Sequence, residues 1–257
     1  MRRTVTPLIG LVPLVGLALA PHPVRAQVPD SLIVVDTLGL QAIDSLGMNT
    51  MGDTLADPFA AAYSGPLPTA VAEQLDYLTE AYFDTPGGLG LIPAAMAEAE
   101  IATEHVRLAG REAFNLSNMT RHMAHVIHAI DPTEVGGGPG LGYGFKRAAE
   151  AAGAHVSQAM RAEGERPGVF DFHAPYMERA ARSAAQRADE AIRLARQVQR
   201  ATSASQGLGL VERLARAVRA MAYGEDRDGD GRIGYSDDEI GLAQAEYHLA
   251  IVRRLAY

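Results

Sequence analysis

The chain is expected to fold as an all-α, alanine-rich helical bundle ending in a C-terminal helix-loop-helix hairpin. After Pro66, apolar residues recur at intervals of three and four, which is the spacing of a helix that buries one face. The breaks between these stretches are Pro86-Gly87-Gly88, Asp131-Pro132, Gly136-Gly137-Gly138-Pro139-Gly140, Pro167-Gly168 and Gly207, residues that stop helices and turn chains. No alternating strand pattern competes with them.

The elements follow in chain order. Residues 1–26 carry Arg2 and Arg3, an apolar stretch from Pro7 to Ala20, and Val24-Arg25-Ala26 before Gln27, the three regions of a secretory signal peptide. The apolar stretch is too short for a membrane span. An exported protein, periplasmic or secreted, is expected. Residues 27–65 form a flexible linker in which Asp30-Ser31-Leu32, Asp36-Thr37-Leu38, Asp44-Ser45-Leu46 and Asp53-Thr54-Leu55 recur without helical or strand period. The bundle proper is expected over 66–206, with helices near 68–83, 90–112, 115–130, 143–164 and 170–203. A hairpin over 207–257 adds helices near 208–224 and 237–256.

Helix 170–203 places Met177, Ala180, Ala184, Ala188, Ala191, Ala195 and Val198 on one stripe. Small residues on a core face either let helices approach closely or leave room for something other than a side chain, and both readings stand at this stage.

Charge and cysteine content narrow the function classes. Removing Arg2, Arg3 and Arg25 leaves 20 Lys+Arg against 31 Asp+Glu, a net charge of −11, which disfavours a nucleic-acid partner. With 0 cysteines the chain has neither a disulfide framework nor a covalent haem attachment. Core packing and bound metal are left as sources of stability.

One segment dictates a chemistry. Residues 226–237 read Asp-Arg-Asp-Gly-Asp-Gly-Arg-Ile-Gly-Tyr-Ser-Asp, with carboxylates at every second position before a glycine turn, as a cation needing six to eight hard oxygen ligands requires. Asp226, Asp228 and Asp230 supply side-chain oxygens and Gly231 makes the turn. Arg232 gives its backbone carbonyl, Gly234 acts through a water, and Asp237 closes the shell. Ile233 anchors the loop on the core or on a second loop. Seven acids between Glu225 and Glu239 against Arg227 and Arg232 leave a local charge of −5, a self-repulsion that a calcium ion relieves. Apolar stripes flank the loop: Val211, Leu214, Ala215, Val218 and Met221 before it, and Ile240, Ala243, Tyr247 and Ile251 after it.

Over residues 208–254 the segment resembles the EF-hand calcium-binding family. The resemblance implies a helix-loop-helix with calcium held by Asp226, Asp228, Asp230, Arg232 and Asp237. The closing residue is aspartate where the family usually has glutamate, as in the related loops of bacterial dockerin modules. If the exiting helix starts late, Glu239 takes that place instead. EF-hand loops commonly pair, and a single loop leaves two arrangements: packing on the bundle, or pairing between two copies as a homodimer.

The histidines outline a second site. His105, His155, His173 and His248 each fall on or beside the apolar stripe of their helix, and His122, His125 and His128 cluster with Met119 and Met123. Imidazole and thioether are transition-metal ligands, copper or zinc being the ions that suit them. At steps of three, His122, His125 and His128 fan around their helix and cannot all bind one ion. The ligand set expected is His105, His122 and His155, for a transition metal or a non-covalent haem. Ordinary core histidines are the competing reading.

Gly136 to Lys146 lacks the Walker and Rossmann spacings, and no Gly-x-Ser-x-Gly or His-Glu-x-x-His motif occurs. The sequence supports no enzyme. The function expected is therefore an exported helical protein with a structural calcium ion. The alternative is a periplasmic histidine-rich bundle that binds a transition metal or haem.

Overall fold

The computed structural model describes residues 66–111, 114–162 and 168–256. The expected signal peptide at 1–26 and linker at 27–65 lie outside the described residues. The described chain is all helical, a bundle of seven α-helices: α1 Thr69–Thr79, α2 Leu91–Arg111, α3 Leu116–Ile130, α4 Phe145–Ala162, α5 Val169–Gln199, α6 Ala204–Tyr223 and α7 Leu242–Ala256. None of them is long and apolar enough to cross a membrane.

Local chemistry sets the helix starts. Asn115 Oδ1 accepts the Asn118 N–H at 3.0 Å, and Ser203 Oγ accepts the Gln206 N–H at 3.3 Å, each satisfying a donor that the first helical turn leaves free. The Asp171 carboxylate accepts the Gly168 N–H at 3.1 Å in the same way at α5.

The 31-residue α5 is the axis of the fold. It packs against α3, α4, α6 and α7, while α2 packs against α1, α3, α4 and α6. Ala180, Ala184, Ala188, Ala191 and Ala195 of α5 are all 0% exposed within a single hydrophobic core. The small-residue face is thus filled by close neighbours. A Cβ built on Gly153 of α4 would lie 3.3 Å from Ala181 Cβ, so α4 and α5 touch nearly backbone to backbone.

Four helix limits lie four or more residues from the sequence expectation. Helix α5 ends at Gln199, not near 203, and α6 starts at Ala204, not near 208, because Ser203 caps it, so Gly207 lies inside α6 and is no break. Helix α1 ends at Thr79, not near 83, because Tyr82 donates its N–H to Leu89 O at 3.1 Å and draws the chain into a turn. Helix α7 starts at Leu242, not near 237, because residues 236–240 form a separate turn, with Glu239 and Ile240 N–H both bonded to Ser236 O. Gln244 then caps the new start, its Oε1 accepting the Gly241 N–H at 2.9 Å. The ends of α6 and α7 meet at Gly224 and Gly241: a Cβ on Gly241 would lie 2.2 Å from Gly224 N, and Gly224 itself has φ +83°. No residue with a side chain fits there.

Candidate functional site

The 226–239 loop bridges α6 and α7 and is organised around its own carboxylates. Asp226 accepts the Gly229 N–H on Oδ1 at 2.7 Å and the Gly231 N–H on Oδ2 at 2.9 Å. Asp228 Oδ1 accepts from Asp230 N at 3.0 Å, and Asp230 Oδ1 accepts from Arg232 N at 2.8 Å. Gly229 and Gly231 adopt φ +78° and +83°, the left-handed conformations this winding demands. Ile233 is buried against Gly224, so its own chain covers it.

Glu239 occupies the inside of the loop. It is 6% exposed, and its Oε1 accepts the N–H groups of Arg227 and Asp228 at 3.0 and 3.1 Å while Oε2 accepts that of Gly234 at 2.7 Å. One oxygen each from Asp226, Asp228 and Glu239 lie within 4.8 Å of one another. Oxygens this close can share one calcium ion, which holds its ligands at about 2.4 Å. Three of the four lone-pair directions of the Glu239 carboxylate are taken by backbone donors, leaving one on Oε2 for a cation.

The expected closing ligand, Asp237, stands elsewhere. Its Oδ1 lies 3.4 Å from Arg179 Nε and 3.9 Å from Arg182 Nη2 on α5. The late start of α7 is the cause: with a turn at 236–240 in place of a helix, residue 237 faces α5 and the longer residue 239 faces the loop interior. Asp230 stays outside the three-carboxylate group, and Arg232 uses its N–H locally.

Helix α5 holds the loop from outside. Ser183 Oγ lies 2.8 and 3.0 Å from the carbonyl oxygens of Asp237 and Ile240, its one proton shared between them, and Arg179 Nη1 donates to Tyr235 O at 3.0 Å. Arg187 reaches Asp238 O and, at 3.9 Å, Glu225 Oε2. These arginines offset part of the loop's negative charge.

The histidines sort into four environments. His105 of α2 meets His122 and His125 of α3: Nδ1 of His105 is 3.0 Å from Nδ1 of His122 and 3.4 Å from Nδ1 of His125. Burial and then the two neighbouring rings push His105 down to about 4 from the usual imidazole value, and burial also lowers His125. His155, expected in this set, is not there. Its Nδ1 lies 2.7 Å from Gln74 Oε1, with the rings of Tyr77 and Tyr82 at 5.0 and 5.1 Å, so it joins α4 to α1. His128 turns away from His122 and His125, as the fan of three predicts, and its Nδ1 sits 3.2 Å from Val135 O.

The fourth environment is a buried pair. His173 Nδ1 and His248 Nδ1 are 2.7 Å apart, one donating and the other accepting, and join α5 to α7. Tyr176 stacks on His248 with ring centroids at 4.9 Å, Tyr235 of the loop approaches at 5.1 Å and Tyr247 at 5.6 Å. His248 Nε2 is buried without a hydrogen-bond partner. Burial and then His173 push the His248 pKa down to about 3 from 6.5.

A pH dependence follows. Between those two values the unfolded chain takes up a proton at residue 248 that the folded chain does not, so this contribution is complete above about pH 6.5 and is lost as pH falls. His248 alone is expected to cost roughly 2 kcal/mol at about pH 5, with His105 adding in the same direction. Urea unfolding at about pH 7 and about pH 5 measures it. The drop should be smaller in a His173→Leu/His248→Leu variant than in wild type, and equal drops would contradict the assignment.

Glu98 of α2 pins a connection distant in sequence. It is 0% exposed, and its Oε1 accepts the N–H groups of Tyr143 and Gly144, both at 3.0 Å. The glycine-rich connection between α3 and α4 is therefore pinned: Gly140, Gly142 and Gly144 have φ of +128°, +74° and +90°, and a Cβ on Gly140 would collide with Glu98 Oε2.

Two open grooves cross the described surface. One is lined by Arg187, Arg213, Arg216 and Glu225 among others, the second by Glu150, Ser157, Glu178 and Arg182 among others, and neither includes a histidine. Neither offers an axial imidazole to a haem. Comparison with protein-family models, with curated proteins and with solved structures returned no match for this chain.

Proposed function

We propose that this is an exported, EF-hand-like helical protein that binds one calcium ion in the 226–239 loop, and that the ion is structural, fixing α6 against α7. The observation that carries the reading is the convergence of Asp226, Asp228 and the buried Glu239 within 4.8 Å. Glu239 replaces Asp237 as the closing carboxylate. The local charge supports it further, because three carboxylates this close repel one another strongly without a cation among them.

Calcium is favoured over magnesium because the three carboxylates come from a wound loop of irregular geometry, where a shell of six to eight ligands is accommodated more readily than a strict octahedron. A single loop on an exported protein suits an affinity on the order of 0.1–1 mM. At about 10 mM calcium that amounts to roughly 1.4–2.7 kcal/mol of stabilisation, or about 4–8 °C in Tm for a domain of this size.

Calorimetric titration with calcium, on wild type and on Asp226→Ala/Asp228→Ala, tests the reading. Wild type is expected to give a one-site isotherm and a calcium-dependent rise in Tm, both absent from the variant; equal heats from the two proteins would end it. Glu239→Gln should weaken binding while Asp237→Asn leaves it nearly unchanged, the opposite of what closure by Asp237 would give.

A further inference from the structure

We propose that His105, His122 and His125 form a second metal centre, binding a divalent transition ion of the zinc type through one ring nitrogen each, with a fourth coordination position open to solvent. The site lies between α2 and α3. His122 and His125 are three residues apart on α3 and so share a face, and His105 enters from the packed neighbour α2.

The three rings come close enough to share one ion. Zinc binds imidazole nitrogen at about 2.0–2.1 Å, and the edge of a tetrahedron of that radius is about 3.3–3.4 Å. Nδ1 of His105 lies 3.0 Å from Nδ1 of His122 and 3.4 Å from Nδ1 of His125, and one ring nitrogen of each of the three histidines lies within 4.8 Å of the other two. Hydrogen bonds alone serve such a cluster poorly. A neutral imidazole has one N–H and one lone pair, so of three nitrogens that converge, one donor can serve one acceptor well and leaves the third unmatched. A single cation satisfies three lone pairs at once.

The rest of the chain shows that this convergence is particular. His173 and His248 meet as a pair, His155 meets a glutamine, and His128 meets a carbonyl, each an ordinary hydrogen-bonded arrangement. Among the described residues, no carboxylate joins the three rings, and the chain has 0 cysteines. His122 is buried, whereas His105 and His125 are half-buried, which places the open side toward solvent. Three protein ligands with an exchangeable fourth position is the arrangement in which zinc holds a water or a small exogenous ligand, not the closed shell of a purely structural site.

The test uses the full chain after removal of its leader, stripped of metal and titrated with zinc against a chromophoric chelator, then with cobalt(II) as a spectroscopic probe. The expected result is one ion per chain, with the intense visible bands of four-coordinate cobalt. His105→Gln and His125→Ala are expected to lower zinc affinity by more than about 100-fold, since even outer-shell partners are worth roughly 10–100-fold. His155→Ala and Asp226→Ala/Asp228→Ala should leave zinc affinity unchanged, while the two histidine variants keep their calcium response, so this proposal and the calcium reading fail separately. Circular dichroism and thermal melting of each apo variant check folding, and His125, half-buried, is the substitution least disruptive to the core. Zinc affinity unchanged in both histidine variants would overturn the proposal, as would pale six-coordinate cobalt spectra.

Discussion

Replacing Glu98 with alanine is expected to lower folding stability by about 3–5 kcal/mol, a large share of the roughly 5–15 kcal/mol that holds a domain together. The carboxylate is fully buried and is the acceptor for two backbone N–H groups, those of Tyr143 and Gly144. Alanine leaves both donors buried without a partner, at about 1–3 kcal/mol each, and opens a void where the side chain packed. Glutamine keeps one acceptor oxygen, so Glu98→Gln should cost much less, on the order of 1 kcal/mol. Urea unfolding of the two variants measures the difference. A Glu98→Ala protein within about 1 kcal/mol of wild type would show that the 131–144 connection does not depend on this contact. The consequence reaches the histidine group, because Glu98 and His105 share α2, and the connection that Glu98 pins leads out of α3, which carries His122 and His125.

Ala184→Leu is expected to destabilise by about 3 kcal/mol or more, at or above the upper end of the usual cost of adding methylenes to a packed core. The position is 0% exposed, in the middle of a helix that touches α3, α4, α6 and α7. Three added carbons must displace a neighbouring helix, and cores are packed too densely for that displacement to be free. Gln186→Leu, exposed on the same helix, is the control and should stay within about 0.5 kcal/mol of wild type. Were the two variants equally stable, the alanine face would have spare room, and a bound group in the bundle would return to consideration.

Much of the fold was legible in advance because helices announce themselves locally. The three- and four-residue period and the proline-glycine breaks lie within a few positions of one another. The helix limits therefore agree to within about four residues, except at the start of α7. The aspartates of the loop were legible for the same reason: Asp226, Asp228 and Asp230 fold onto their own backbone neighbours.

What escaped depends on partners distant in sequence. Asp237 fitted the spacing, but Arg179 and Arg182, more than 50 residues earlier, hold its carboxylate on the outside, and the turn at 236–240 delivers Glu239 instead. His155 and His125 were both visible as inward or clustered histidines, yet helical geometry assigns a side chain only to a face of its own helix. Which face meets it is decided by packing: α2 lies on α3, so His105 meets His122 and His125, while α4 lies on α1 and gives His155 to Gln74.

The sequence by itself determined the all-α class, the order of the helices and the acidic loop, because each follows from interactions within a turn or two of chain. The tertiary structure alone decided that Glu239 enters the loop, that three histidines from two helices converge, and that the alanine face of α5 is closed by its neighbours. Those outcomes turn on long-range packing and on where one late helix begins, quantities that no local pattern encodes.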